Sequence, residues 1–282
     1  MSQAQAEETL RLWREAALYW EKYAQTIRAM FAPVTRALVE EAGITRGQGV
    51  LDVAGGPGEP SLTIAEVVGS AGSVDCTDAV AEMVAAAERE ARRRGMTNVK
   101  FRQCSADSLP FDSDSFDAAV SRLGVMFFPD PVAGLREMLR VVRPGGAVSL
   151  AVWGRSELNP FAHVITSVVS RHVETHPAER GAPEAFRFAE PGDLARVLEA
   201  AGASNVSERA LEFCIEAPLS PAEFWAMRSE TSDTLRRKLT GLPAGEREEV
   251  AREVQEAVRE FFPENRMSFP AQILVVTGKK SH

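Results

Sequence analysis

Between about residues 49 and 154 the chain alternates short apolar runs with segments of helical periodicity. Val50-Leu51-Asp52-Val53-Ala54 reads as a buried strand ending in the glycine turn Gly55-Gly56-Pro57-Gly58. A helix is predicted over 60–68, stopped by Gly69, then a second strand over 73–78 and a helix over 80–94. Arg92-Arg93-Arg94 fall in the last turn of that helix, where the dipole favours cations, with Gly95 just beyond. The run therefore reads as a solvated helix end rather than a phosphate site. Third and fourth strands are predicted over 99–104 and 117–123. Asp130 followed by Pro131 is an N-cap with proline at the first helical position. That helix is expected to reach Arg143 and break at Pro144-Gly145-Gly146, before a fifth strand over 147–153. Alternation of this kind implies right-handed βαβ units and a mainly parallel sheet.

Later in the chain, a capped helix is predicted over 193–201, ending at Gly202, and two closing strands over 206–216 and 271–277. The intervals 155–190 and 217–268 fit no such pattern and read as partly helical elaborations of the kind that form substrate lids. At the start, Leu10, Trp13, Ala17, Trp20, Ala24, Ile27 and Phe31 are spaced three and four apart, an apolar stripe along one helix face. Glu7, Glu8, Glu15 and Glu21 spoil the basic face a membrane-surface helix needs, so the stripe is expected to pack on the domain or its ligand.

Composition narrows the function classes. Of 282 residues, 45% are hydrophobic and 26% charged, the profile of a globular chain. The net charge of −8 carries no basic footprint, which argues against a nucleic-acid partner and a polybasic membrane anchor. No apolar run spans a bilayer, and the first residues lack the regions of a secretory signal. Cys76, Cys104 and Cys214 form no pair pattern and are expected to be buried free thiols. A soluble, cytoplasmic protein of a reducing compartment is expected; homodimerisation is left open.

The chemistry concentrates at the predicted carboxyl edge of the sheet, where open α/β folds bind ligands. The glycine turn fits no register of the G-x-G-x-x-G dinucleotide fingerprint: the third glycine falls on Ser61 or Glu59. Pro57 also removes an N–H that a pyrophosphate cradle would use. The spacing Ala54-x-Gly56-x-Gly58 behind Asp52 suits a nucleoside without a phosphate chain. Asp78, at the end of the second strand, is an acid able to accept both ribose hydroxyls, or alternatively to cap the next helix. Ser105-Ala106-Asp107 follow the third strand and reach the same edge.

The run 50–60 resembles motif I of the class I S-adenosylmethionine-dependent methyltransferases, and Asp78 with Glu82-Met83 resembles motif II. Residues 105–111 with Ser115-Phe116-Asp117 resemble the adenine-contact segment, and 139–146 the "LxxVLRPGG" signature. Within that family the core is most similar to the ubiquinone/menaquinone C-methyltransferase-like (methyltransferase type 11) group. The resemblance implies an α/β fold with a Rossmann-like, seven-stranded, mostly parallel sheet and helices on both faces. The expected organisation is an N-terminal helical cap (1–44), a cofactor-binding core (45–154), a lid insertion (155–190), closing helix and strands (191–216 and 269–282) and a helical insertion (217–268). It implies S-adenosylmethionine as cofactor, S-adenosylhomocysteine as product and a small-molecule acceptor. Ala54, Gly55, Gly56, Pro57 and Gly58 would approach the methionine and ribose part, and Asp78 the ribose hydroxyls. Ala79, Met83, Ser105, Ala106 and Asp107 would border the adenine, and Arg122 and Leu123 the methionine tail. Trp20 and Tyr23 would cover the cofactor. Two departures stand out: Ala54 replaces a common motif glycine, which is tolerable if its φ is not positive, and Ser105 stands where an Asp often contacts the adenine amine.

A methyl sulfonium is already activated, so such an enzyme chiefly aligns its reactants and excludes water. If a base is needed, His163, His172 and His176 are the candidates; Trp153, Phe161, Phe186 and Phe188 are candidates to wall an apolar acceptor pocket. No metal site is expected: His172 and His176 have i, i+4 spacing, but Pro177 follows and a third ligand is missing. The reading is methyl transfer by in-line displacement to a small, apolar or aromatic acceptor. The alternatives are a catalytically silent cofactor-binding protein and a nicotinamide oxidoreductase.

Overall fold

The structure, a computed structural model, describes residues 3–173 and 181–281. Three helices open the chain: α1 (Gln3–Lys22), α2 (Ala24–Met30) and α3 (Ala32–Glu41). Then follow β1 (Gly49–Val53), α4 (Ser61–Val68), β2 (Ser73–Asp78), α5 (Ala81–Arg93), β3 (Val99–Gln103), β4 (Phe116–Arg122), α6 (Pro131–Val141) and β5 (Val142–Trp153). The second half holds α7 (Pro160–Val169), α8 (Asp193–Ala200), β6 (Ala203–Ala217), α9 (Pro221–Thr231), α10 (Asp233–Thr240), α11 (Ala244–Ala257) and β7 (Met267–Lys280).

The strands form one seven-stranded sheet in the order β3-β2-β1-β4-β5-β7-β6. Pairings from β3 through β5 are parallel, and β7 runs against both β5 and β6. The chain works outward from β1 to β3 and then returns to β4 on the other side of β1. That reversal leaves a crevice at the carboxyl ends of β1 and β4, where the glycine turn emerges. Alternation sends Val50, Ala118 and Val120 to a cluster with Ile64 and Val68 of α4. Leu51 and Ala119 join the larger core with Leu135 and Met138 of α6. Apolar residues on both sides of β1 and β4 are what a parallel strand covered by helices requires.

Several expectations need correction. The N-terminal stripe is not one helix: the backbone leaves helical geometry at Tyr23 and Phe31. Pro33 lies in the first turn of α3 and could not donate its amide inside a continuous helix. Helix α6 ends at Val141, not Arg143. Val142 already pairs with Phe116, and the ladder then slips across Pro144-Gly145-Gly146 before Ala147 meets Ala118. A Cβ on Gly146 would lie 2.5 Å from Val142 Cγ1, so this bulge excludes a side chain. Helix α8 draws its N-terminal partner from another strand: Gly192, at φ 84°, donates its N–H to the Glu208 carboxylate of β6. Arg94 is not solvated; it binds Glu90 at 2.7 Å and Glu59 at 3.0 Å. Only Cys76 of the three thiols is buried, with Cys104 half-buried and Cys214 exposed, because β6 is an edge strand with one open face.

Candidate active site

The glycine turn is held by its own backbone. Gly55 N–H donates to Thr77 carbonyl at 2.9 Å and Gly58 N–H to Gly55 carbonyl at 3.1 Å. Gly56 N–H donates to Asp78 Oδ2 at 3.0 Å. With Pro57 lacking a donor, none of these groups is left to cradle a pyrophosphate. The glycines do different jobs. A Cβ on Gly55 would lie 2.8 Å from both Asp52 Oδ2 and Cys76 Sγ, so this residue points into the protein. A Cβ on Gly56, at φ 54°, would meet nothing within 4 Å, and that open side is where a ligand can approach the backbone. Gly58 packs over Leu62 and Ala87. Ala54 has φ 59°, so the condition under which alanine is tolerable there fails, and the residue holds a left-handed conformation at a steric cost.

Two carboxylates sit beneath and beside the turn. Asp52 is fully buried and accepts from Ser61 N–H at 3.0 Å and Ser61 Oγ at 2.6 Å on one oxygen. Its other oxygen has no partner. Burial pushes its pKa up to about 7, against the pull of Ser61 and Arg122. Asp78 accepts from Gly56 on one oxygen and from Val80 N–H, at 2.9 Å, on the other. Burial lifts its pKa to about 6 although those donors favour the charged form. An ionised carboxylate offers about four acceptor sites, so Asp78 retains capacity for ligand hydroxyls. It does not cap α5, whose N-cap is Val80.

Beside Asp78 stand two of the expected adenine-side residues, Ala79 and Met83. Ala79 carbonyl accepts from Gln103, and Met83 is buried against Ala17, Val80, Trp13 and Trp20. Trp13 stands edge-on to Phe127 at 5.1 Å, so α1 covers this end of the sheet. Ala106 lies near Gly134 of α6, whereas Ser105 and Asp107 are exposed and bonded to each other at 2.5 Å. Trp20 and Tyr23 are engaged with α9: Trp20 Nε1 donates to Thr231 carbonyl at 3.0 Å and Tyr23 hydroxyl to Glu230 at 2.9 Å.

At the end of β4, Arg122 donates to Thr35 Oγ1 at 2.9 Å and to Glu59 carbonyl at 3.2 Å. It ties the glycine turn to α3. Burial lowers its pKa, and Glu59 and Asp52 hold it up. Leu123 shares the left-handed backbone, with φ 58°. Glu59, which sequence reasoning passed over although it sits inside motif I, is nearly buried and binds Arg28 and Arg94.

Beyond Arg122 lies an aromatic cluster. Phe31 is edge-on to Trp153 at 5.8 Å and to Phe161 at 6.3 Å, and Trp153 stacks on Phe161 at 6.3 Å. Phe186 reaches Trp153 at 6.3 Å, and Phe224 reaches Phe161 at 5.5 Å. Phe188 is buried in the same core, with Arg187 over its ring at 5.3 Å. The histidines turn elsewhere. His163 is exposed and meets Ser156 Oγ at 3.1 Å, His172 lies 3.3 Å from Glu253, and His176 is outside the described residues. Sequence reasoning also missed Phe31 as part of the wall and Arg228, whose guanidinium lies 4.7 Å over Phe161. Nothing local in α9 marks Arg228; only the tertiary fold does. Among the described residues no three His, Cys, Asp or Glu are placed to hold a metal ion.

Comparison with known proteins agrees with this geometry. A family model described as the ubiE/COQ5 methyltransferase family matches residues 34–170, just under half of the chain. An uncharacterised protein of Mycobacterium tuberculosis is 36% identical over 150 residues, 53% of each chain. The ubiquinone/menaquinone biosynthesis C-methyltransferase of Cellvibrio japonicus is 38% identical over 112 residues, 39% of this chain and 45% of its own. The matched segment spans about half the length of these curated relatives. Among solved structures, the YcgJ protein of Bacillus subtilis superposes with a TM-score of 0.57 at 21% identity, covering 88% of this chain and 98% of its own. Phosphoethanolamine N-methyltransferase 2 of Haemonchus contortus, solved with S-adenosyl-L-methionine, superposes at 0.56 and 14% identity over 93% of this chain and 57% of its own. The [4+2]-cyclase SpnF shares the fold as well, at 0.54 and 19% identity over 95% and 96% of the two chains.

Proposed function

We propose that this chain, a class I S-adenosylmethionine-dependent methyltransferase in family and fold, methylates a small apolar or aromatic acceptor. The observation that carries the reading is the pairing of Asp78, with acceptor capacity to spare, and the open side of Gly56 at one sheet edge. That arrangement fits an uncharged ribose and a compact amino-acid tail, and the turn's engaged N–H groups disfavour a nicotinamide dinucleotide.

In this reading Asp78 accepts the ribose hydroxyls, and Ala54, Gly56, Pro57 and Gly58 border the ribose and methionine. Gly55 supports the turn from inside. Ala79, Met83 and Ala106 line the adenine, with Ser105 and Asp107 at its rim. Arg122 and Leu123 flank the methionine tail, Arg122 also holding the turn against α3. Trp20 and Tyr23 fasten the covering helix to α9. S-adenosylmethionine, when bound, supplies an already activated methyl group, so alignment and dryness are the protein's main contribution. Trp153, Phe161 and Phe186 hold the flat face of the acceptor and keep water out. His163 is engaged with Ser156 and His172 with Glu253, and neither is assigned as a base.

Calorimetric titration with S-adenosylmethionine, S-adenosylhomocysteine and NAD(H) tests the reading: micromolar binding of the first two and none of the third is expected. Asp78→Asn keeps a carbonyl for the turn but removes the charge, and should weaken S-adenosylhomocysteine by about 1–3 kcal/mol. Ribose donors favour the ionised carboxylate. Wild-type affinity should therefore fall as pH drops through about 6, and that dependence should vanish in the variant. Equal affinity for both proteins at every pH would remove Asp78 from the site. Because a cyclase shares this fold, binding without cofactor turnover across an acceptor screen would favour the silent alternative.

A further inference from the structure

Arg228 is an unusual cation. It lies on α9 one turn after Phe224, so both side chains share a helix face toward Phe161. Its Nε is sealed from water without an acceptor, and no hydrogen bond or ion pair engages its guanidinium among the described residues. Yet the residue is only half-buried, and its two outer nitrogens are not sealed from water as Nε is. Burial pushes its pKa down to about 10, and no carboxylate among the described residues offsets this. Arg122, the other buried arginine at this edge, has Thr35 and Glu59 for partners and feels Asp52. A buried charge without a counter-charge is strongly destabilising, and functional sites are where folds hold such groups.

Resting on the reading of this edge as a methyltransferase site, we infer that Arg228 binds a carboxylate on the methyl acceptor, whose apolar ring lies along Phe161 and Trp153. A planar guanidinium matches one carboxylate bidentately. A phosphate dianion would leave its second charge facing aromatic carbon, with no other unengaged cation recorded beside it among the described residues. The acceptor class is therefore an aromatic or alicyclic acid.

The test uses the full chain saturated with S-adenosylhomocysteine, titrated with benzoate, phenylacetate and 4-hydroxybenzoate and with benzamide, phenylacetamide and methyl 4-hydroxybenzoate. The acids should bind at least about tenfold more tightly than their neutral counterparts, and Arg228→Met should erase that preference. Arg228→Lys, a point charge without the fork, should retain part of it. Without ligands, Arg228→Met should also melt at least about 2 °C higher than wild type, since it removes an unpaired buried charge. Equal binding of acids and neutral compounds, no binding by any acid, an unchanged preference in Arg228→Met, or a variant that melts lower or fails to fold would each overturn the assignment. Failure to bind S-adenosylhomocysteine would instead overturn the cofactor reading beneath it.

Discussion

The glycine turn and the aromatic wall lie at the same edge of the sheet, but they satisfy their chemistry in opposite ways. At the turn, the backbone N–H groups are engaged by the turn itself and the end of β2: Gly55, Gly56 and Gly58 donate to Thr77, Asp78 and Gly55. At the wall, Phe31, Trp153, Phe161 and the α9 pair Phe224 and Arg228 come from four segments of the chain, and the one cation among them has no hydrogen-bond or ion-pair partner among the described residues. The first region is built to present a fixed backbone surface. The second is held by apolar area and leaves its polar requirement for something else to meet. This contrast is what a shared cofactor and a variable acceptor would produce, since the first site always has the same shape to match.

The largest effect should come from cutting the wall. Phe161 is 2% exposed and touches Phe31, Trp153, Phe224 and Phe269. Phe161→Ala should cost about 3–5 kcal/mol in urea unfolding, because these neighbours cannot all collapse into the space. A loss below about 1 kcal/mol would show the cluster to be loosely packed and would end the contrast with the turn.

Two adjacent glycines sharpen the comparison at the other end. Gly55→Ala drives a methyl group onto Asp52 and Cys76 and should cost about 1–3 kcal/mol of stability. Gly56→Ala points its methyl into open space, so its stability loss should be confined to left-handed strain of about 1–2 kcal/mol. If a ligand occupies that space, S-adenosylhomocysteine affinity should fall tenfold or more in Gly56→Ala. Intact affinity in that variant would move the cofactor away from the turn.

The same contrast explains what the sequence made legible. The order of β1 to β5, the turn and Asp78 all follow from local requirements: apolar runs, a glycine where the backbone turns, an acid at a strand end. The α6 boundary was missed because a proline and two glycines that look like a stop are absorbed in a bulge, which only pairing with β4 reveals. The breaks at Tyr23 and Phe31 were missed because the three-and-four spacing continues across them. The histidines read as candidate chemistry in the sequence, yet the fold turns the two described ones toward Ser156 and Glu253. Arg228 carries no such local signal, because an arginine in a helix has meaning only once its surroundings are known. What the structure adds is that α1 and α9, far apart in sequence, are joined through Trp20, Tyr23, Lys22, Glu230 and Thr231.

The smallest effect concerns Ala54. Its positive φ should cost about 1–2 kcal/mol relative to a relaxed residue, whereas glycine would add about 0.5–1 kcal/mol of unfolded-state entropy. Ala54→Gly should thus stabilise the protein by less than about 1 kcal/mol. The gain is limited further because the Ala54 methyl fills the hollow beside Gly124: a Cβ on Gly124 would lie 2.7 Å from it. The two positions are therefore coupled. Gly124→Ala alone should be destabilising, since it also approaches Ser121 Oγ at 2.8 Å, and the penalty should shrink in the Ala54→Gly background. Measured unfolding energies for the two single variants and the double variant decide this. Strict additivity would mean that the alanine and glycine do not share that space, and that Ala54 is merely strained rather than packed in place of the usual glycine.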